Sequence, residues 1–453
     1  MSLNVENHNL DTTSDLTEHN ESAEKKAQDP NTLPFSNGFF DKDPITSKAR
    51  AEYLKLLVAG TMLVSVAIWA VLSIYWGALW KTEDLIHNLE GWVVDFDGGE
   101  VGSAVTQYFA AIHAKDHLSW RVQSADLFPN GPGDLAHAVV EEKCWVAIAI
   151  NPGATNTLTQ AVDTANATYN STLAVTAFGN EARNENAYSF LIVPNLQQPL
   201  QQISQQFANQ NAQQLASRTN LQAILSQAPS LVTQPLGYTI DNLRPFDIPV
   251  AAAVDFVGLI YLLILSFIIA AQQLNARLQS GIQRRLRMKS LLILRIVAPI
   301  ITYFWISLMY SALSQAFNVP FNRKFGHSGF LVYWMMSWCG MMALGLALEA
   351  ALTLLTMKFI PFFLILWIIT NVSVCFYPIP VLPSIYRYGY AAPFYNVSNA
   401  VRTILFNTRN QVGLNFGVQL AWVGISCLTL PLFQWYVRRQ EMAAWRKEHV
   451  RGE

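Results

Sequence analysis

The chain has 453 residues, 52% of them hydrophobic and only 13% charged. Soluble domains usually carry about 25% charged residues, so much of this chain is solvated by something other than water. The formal net charge of -1 supplies no basic field, which argues against a nucleic-acid partner, and four cysteines do not make a disulfide framework.

Residues 1–50 read as a disordered cytoplasmic tail. The first forty are polar and acidic, without the basic start and apolar run of a signal peptide, and bury too little apolar surface to offset ordering. A spanning helix needs roughly 20 mainly apolar residues. The first such stretch is 54–76, inside a transmembrane segment 51–80. Residues 81–248 then form a polar domain, and 249–437 hold five further spans at 249–271, 290–313, 329–355, 359–377 and 416–437. A basic tail, 438–453, closes the chain. The expected fold is therefore an α-helical polytopic membrane protein with six transmembrane helices in a 1+5 arrangement and a mixed α/β extracytoplasmic domain between helices 1 and 2.

Lysine and arginine set the orientation. Fifteen flank one side, including Lys48, Arg50, Arg277, Arg284, Arg285, Lys358, Arg438 and Arg451, against seven on the other. Both termini are thereby expected in the cytoplasm. The polar domain then lies outside, and its sequons at Asn166 and Asn170 agree with glycosylation there. A third sequon at Asn396 sits close to the membrane.

Within this domain, 91–97, 118–122 and 144–150 read as strands, and 101–114 and 157–166 as helices, an alternation that argues for a small α/β domain. The glutamine-rich stretch 196–227 repeats Leu200, Ile203, Phe207 and Leu215 at helical spacing. It reads either as an amphipathic helix on the domain's own sheet or as a stalk or partner-binding face. Cys144 is the only cysteine of the domain, so no disulfide forms within it. His113 and His117, four apart on an expected helix, lack a third ligand of suitable spacing, and no metal site or cofactor is expected.

Ionisable residues inside a span are costly and mark candidate sites. Arg295 and Glu349 lie at similar depth from the cytoplasmic end and are expected to pair, whether as a self-neutralising structural pair or as a functional one. Asp255, two turns inside the outer end of its span, has no evident partner and is the candidate for proton or cation coupling. Asn371 reads as an interhelical hydrogen-bonding group, and Ala343, Ala347 and Ala351 as a packing stripe. Between the last two spans, prolines 378, 380 and 383 block a continuous helix. Tyr386, Arg387, Tyr388, Tyr390, Tyr395 and Arg402 there suit an interfacial or re-entrant segment, either bordering a pathway or forming a lid for the outer domain. The sequence has no P-loop, H-E-x-x-H or G-x-S-x-G, so it offers no ATP motor and no support for an enzyme.

One span, a large domain and five spans is the layout of ABC-2-type exporter membrane domains. More closely, the chain resembles the fungal nitrosoguanidine-resistance membrane protein family, of the DUF3533 type. The resemblance rests on 93–99, on 144–155, on Gly179 to Arg183, on Phe376-Tyr377-Pro378 and on the stretch from Tyr386 to Arg402, and it covers about residues 50–440. It implies a fungal membrane protein tied to drug and toxicant tolerance, without an ATPase and without catalytic residues to carry over. Two functions follow from it. One is a transporter that exports hydrophobic toxic compounds or lipids. The other is a non-transporting organiser of lipid or cell-surface homeostasis. The expected partners are the lipid bilayer, a hydrophobic small molecule or lipid as substrate and, by analogy with paired ABC-2 domains, a second copy of the chain. The plasma membrane is the first expectation for its location, a secretory-pathway membrane the second.

Overall fold

The computed structural model describes residues 37–450, with side chains as far as residue 447. Most of the expected N-terminal tail and the last residues of the basic tail, Arg451 among them, lie outside that range.

The first apolar segment, α1 (Pro44–Leu79), starts ten residues before the expected span. Asp43 caps it by accepting from Thr46 N at 2.9 Å, and Pro44 occupies the first turn, where a missing N–H costs nothing. Its helix is α to Ala67 and takes a π turn at Ile68–Leu72.

A mixed sheet follows, in the order β2-β1-β3-β4-β5. Its strands are β1 (Glu90–Asp95), β2 (Ser119–Gln123), β3 (Val146–Ile150), β4 (Val175–Gly179) and β5 (Tyr238–Asn242). β1 runs parallel to both β2 and β3, β4 runs antiparallel to β3, and β5 is parallel to β4. All five residues of β3 are buried. That burial explains its unbroken apolar run, since a central strand is covered on both faces. Alternate side chains serve two cores. Val93, Ile148, Ile150 and Ala177 face a layer built from α2 (Glu100–Ala110), α4 (Ala154–Asp163) and the glutamine-rich α5 (Val193–Leu215). Val94, Ala147, Ala149 and Phe178 face α3 (Pro132–Val140).

The apolar side of α5, Leu196, Leu200, Ile203 and Phe207, belongs to the sheet's own core. The glutamine-rich stretch is thus an amphipathic helix of this domain. α2 ends at Ala110, so His113 and His117 lie in the irregular segment beyond it and not on one helical face. The turn after β1 is tied by its own acids: Asp95 Oδ1 accepts from Asp97 N and Gly98 N, both at 2.9 Å, and Asp97 Oδ1 accepts from Thr155 N at 3.0 Å. Gly98 supplies the positive φ of +66° which that turn requires.

The remaining long helices are α6 (Val257–Gln279), α7 (Met288–Ala316), α8 (Gly329–Val372) and α10 (Val412–Val450), with the shorter α9 (Pro393–Phe406) between the last two. Counted with their flanking turns, the described residues contain five helical segments long and apolar enough to cross a membrane. α8 is interrupted at Thr356, whose φ of 58° and ψ of 171° are not helical, so it is two helical pieces, 329–355 and 357–372. α10 continues past residue 437 into the expected basic tail. α6 is also interrupted: a short helix Ala252–Asp255 precedes it, and Phe256 breaks the ladder with φ -132° and ψ -72°. Gly258 permits this break, because a Cβ there would lie 2.0 Å from Ala253 O and 2.3 Å from Tyr310 Oη. Close approach recurs at Gly345, over which Tyr303 passes to donate to Ser266 O at 3.1 Å, joining α6, α7 and α8.

Candidate functional site at the domain junction

The sheet domain is fastened to the helical part by the segment after β4 and the proline-rich loop after α8. Asn88 Nδ2 donates to Pro380 O at 3.1 Å, Asn184 Nδ2 donates to Phe376 O at 3.3 Å, and Arg244 Nε donates to Asn407 O at 3.0 Å. Val381 is buried within the sheet domain's own core. Glu181 Oε2 accepts from Asn242 Nδ2 at 2.8 Å and from Phe246 N at 3.0 Å, which aligns the chain leaving β4 with the chain leaving β5.

Arg402 is the hub of this junction. Its Nη2 lies 2.6 Å from Glu185 Oε2 and 2.9 Å from Asp255 Oδ2, and its Nη1 donates to Ala182 O at 3.3 Å. Asp255, expected to stand without a partner, is thus held by a guanidinium 147 positions away in sequence. Arg402 likewise is not interfacial: it is 3% exposed on a helix whose side chains are almost all buried. The apolar residues of α9 face protein on every side, which its sequence could not distinguish from facing lipid. Asn371 caps this helix from a distance: its Oδ1 accepts from Phe394 N at 3.2 Å, satisfying an amide at the start of α9. It thereby ties the end of α8 to α9.

Of the tyrosines expected at an interface, Tyr386 is buried and donates to Ile74 O at 2.6 Å. Tyr388 donates to Thr370 O at 2.8 Å, while Arg387 and Tyr390 are exposed. Tyr395 lines a cavity of about 500 Å³ between the two parts of the molecule. Sheet-domain residues Glu142, Trp145 and Arg183 form one wall of it, and Arg409, Asn396 and Asn415 belong to the other. Arg183 stacks on the Trp145 ring with its guanidinium carbon 3.4 Å from the ring centroid, donates to Cys144 O at 2.9 Å and lies 3.7 Å from Glu142. Burial dominates the ionisation of these neighbours, raising the pKa of Glu142 against the pull of Arg183 and pushing Cys144 up to about 12. Sequence reasoning singled out none of Glu142, Trp145, Arg183 or Arg409 as a site. The one signal was that Trp145 and Arg183 fall in the stretches carrying the resemblance.

A second buried cluster lies toward the other end of the helices. Arg295 Nε and Arg277 Nη2 both reach Glu349 Oε1 at 2.7 Å, and Arg295 also bonds Gln434 and donates to Glu349 O at 3.1 Å. The expected meeting of Arg295 with Glu349 is present. Arg277, counted among the flanking positive charges, is drawn in as a third member because α6 extends beyond its expected end at residue 271. Of the alanine stripe, Ala343 and Ala351 are buried, and Ala347 lines a cavity of about 350 Å³ beside α10.

Asn166 and Asn170 sit near one another on the sheet domain, each accepting from the Thr two residues on, at 2.9 and 3.1 Å from its backbone N. Among the described residues no group of three metal-ligating side chains is assembled.

Apolar spans, an inserted α/β domain and buried charge clusters define a multi-pass membrane protein. The family model described as "Protein of unknown function (DUF3533)" matches residues 60–428, and the chain belongs to that family. An uncharacterized endoplasmic reticulum membrane protein of Saccharomyces cerevisiae is 27% identical, the alignment covering 94% of this chain and 88% of that protein. No solved structure matches.

Proposed function

We propose that this protein is a non-enzymatic transporter of membrane amphiphiles, moving hydrophobic toxicants or lipids and contributing to resistance. The observation that carries the reading is the junction cavity: about 500 Å³, lined by charged and amide side chains among apolar ones, and walled jointly by an inserted domain and the helices. A surface that only organised partners would have no need of an internal compartment shared by two parts of the chain. Supporting it is the broken start of α6, which sets the buried Asp255 at the point where the helix is interrupted. Irregular backbone at membrane depth is tolerated where protein or a water-filled cavity satisfies it.

In this reading the two pieces of α8 on either side of Thr356 are separate spans, giving six in the 1+5 order of ABC-2-type exporters. The excess of basic residues flanking one set of span ends favours cytoplasmic termini. The sheet domain is then extracytoplasmic, with Asn166 and Asn170 as glycan acceptors. An endoplasmic reticulum relative favours a secretory-pathway membrane over the plasma membrane. Without an ATP motif, energy comes from an ion gradient, a separate motor or a downhill substrate, and Asp255 is the coupling residue of the first case.

The test is flux in proteoliposomes with and without an imposed proton gradient, using labelled phospholipids and a panel of hydrophobic toxicants. Gradient-dependent flux lost in Asp255→Asn is the expected result. Absence of flux for every compound, from protein shown to be folded, would overturn it and favour the membrane-organiser reading.

A further inference from the structure

The junction cavity is lined by residues with buried polar groups that no described residue satisfies. Asn415 is 1% exposed, and neither its Nδ2 nor its Oδ1 has a hydrogen-bond partner among the described residues. Asn396, also 1% exposed, uses its Nδ2 on Tyr390 O and Ala392 O, at 3.0 and 2.9 Å, while its Oδ1 is unpartnered. Both residues line the cavity. A buried polar atom left unpaired is costly, so an occupant that offers an acceptor to Asn415 Nδ2 and donors to the two amide oxygens is favoured over one that does not.

Charge narrows the occupant further. Arg402 is already held by Asp255 and Glu185. On the rest of the wall the guanidiniums of Arg183 and Arg409 outnumber the one carboxylate, Glu142, so this part of the lining is locally cationic. A phosphodiester monoanion suits two guanidiniums and accepts hydrogen bonds on its free oxygens.

The cavity is also the first of three along one face of α10. Leu414 and Val418 line it, Trp422 lines a second of about 470 Å³, and Ile425, Thr429 and Phe433 line the third. The spacing of three and four residues keeps them on one face. The second and third cavities share Phe363 and Trp422 and are bounded mainly by apolar side chains. Polarity therefore falls along the helix, from a charged end to an apolar groove.

We propose that this track seats a glycerophospholipid whose headgroup carries hydrogen-bond donors, such as ethanolamine, serine or inositol. The phosphate lies between Arg183 and Arg409 and accepts from Asn415 Nδ2. The headgroup ammonium or hydroxyl donates to Asn396 Oδ1 and Asn415 Oδ1. The acyl chains lie on the groove of Trp367, Trp422 and Phe363. Phosphatidylcholine fits poorly, because its quaternary ammonium has no N–H. This deepens the transport reading by naming the ligand class of the same site, and its test is binding alone.

The full-length protein, delipidated in detergent, is titrated with short-chain phosphatidylcholine, phosphatidylethanolamine, phosphatidylinositol, diacylglycerol and water-soluble glycerophosphoethanolamine, and bound lipid is read by native mass spectrometry. Donor-bearing phospholipids should bind about tenfold more tightly than phosphatidylcholine, the factor that one hydrogen bond made or lost is worth. Asn415→Leu should erase that preference, and Arg409→Gln, at an exposed position, should weaken all phospholipids alike while the fold is retained. Equal binding of phosphatidylcholine would overturn the donor requirement. Equal binding of diacylglycerol would overturn the phosphate seat, and equal binding of glycerophosphoethanolamine the role of the groove. Headgroup-selective binding without flux would sink only the transport reading. Flux without headgroup selectivity would sink only this inference.

Discussion

The two buried charge clusters are mirror images in composition. At the domain junction one guanidinium, Arg402, serves two carboxylates, Asp255 and Glu185. Toward the far end of the helices one carboxylate, Glu349, serves two guanidiniums, Arg277 and Arg295. Each is anchored on a buried hub and each carries one unbalanced charge, negative in the first and positive in the second. The surroundings differ. Glu185 keeps a side-chain exposure of 21%, so water reaches the junction cluster, whereas Glu349 is fully buried and both its arginines nearly so. Desolvation makes an uncompensated charge most costly where water is most excluded, so the far cluster is the stiffer and the junction the more adjustable.

The largest effect should follow removal of the fully buried hub. Glu349→Gln leaves two guanidiniums facing each other, a loss of roughly 3–5 kcal/mol by comparison with broken buried pairs. Fluorescence-detected size exclusion should show little monodisperse protein. Restoring the balance with Arg277→Gln in the same chain should recover part of it, as expected of residues in one network. If Glu349→Gln alone behaves like the unaltered protein, the cluster contributes nothing and the contrast with the junction collapses. Arg402→Gln should come next. It strands Asp255 but lets Glu185 hydrate, and it removes the bond to Ala182 O. The expected sign is faster proteolysis between the sheet domain and α6, with the helices still folded.

Much of this layout was legible in the sequence because burial in lipid leaves a simple signature, a long apolar run. The three strands with unbroken or ordered apolar patterns were readable for the same reason. β4 and β5 were not. Val175–Gly179 interrupts its apolar residues with Thr176 and follows a sequon-rich turn, and the burial of Tyr238–Asn242 alternates without a fully buried position. The meeting of Arg295 with Glu349 was readable because both depths could be counted from span ends. Arg402 with Asp255 was not, since counting along a span assigns no depth to a helix that is not itself a span. The junction cavity was invisible for a related reason: its walls come from segments far apart in the chain, Asn184 and Val374 at the nearest, and Arg183 in isolation is one arginine in an acidic domain.

Single substitutions that balance each cluster give a finer comparison. Asp255→Asn leaves Arg402 paired one-to-one with Glu185, and Arg277→Gln leaves Glu349 paired one-to-one with Arg295. Neither should lower the melting temperature by more than a few degrees, because each removes an excess charge in place of a shared partner. Their effects on gradient-driven flux should diverge, with Asp255→Asn abolishing it and Arg277→Gln sparing it. Equal loss of flux in both would remove any special status from the junction.

The smallest expected effect concerns pH. Glu142 lies beside Arg183 on the sheet-domain wall, outside the spans, and burial raises its pKa above the usual 4.5 in spite of that guanidinium. A carboxyl whose folded pKa exceeds its unfolded one binds its proton more tightly when folded. Its contribution therefore favours the folded state at low pH and is lost as pH climbs from the unfolded value through the raised one. The sheet domain should accordingly melt slightly lower at pH 7 than at pH 5. Glu142→Gln, which mimics the protonated form, should flatten that difference and match the pH 5 behaviour at both values. The opposite slope would mean that the ion pair with Arg183 outweighs desolvation. The cavity wall would then hold a settled pair, leaving Arg409 alone to attract an anion.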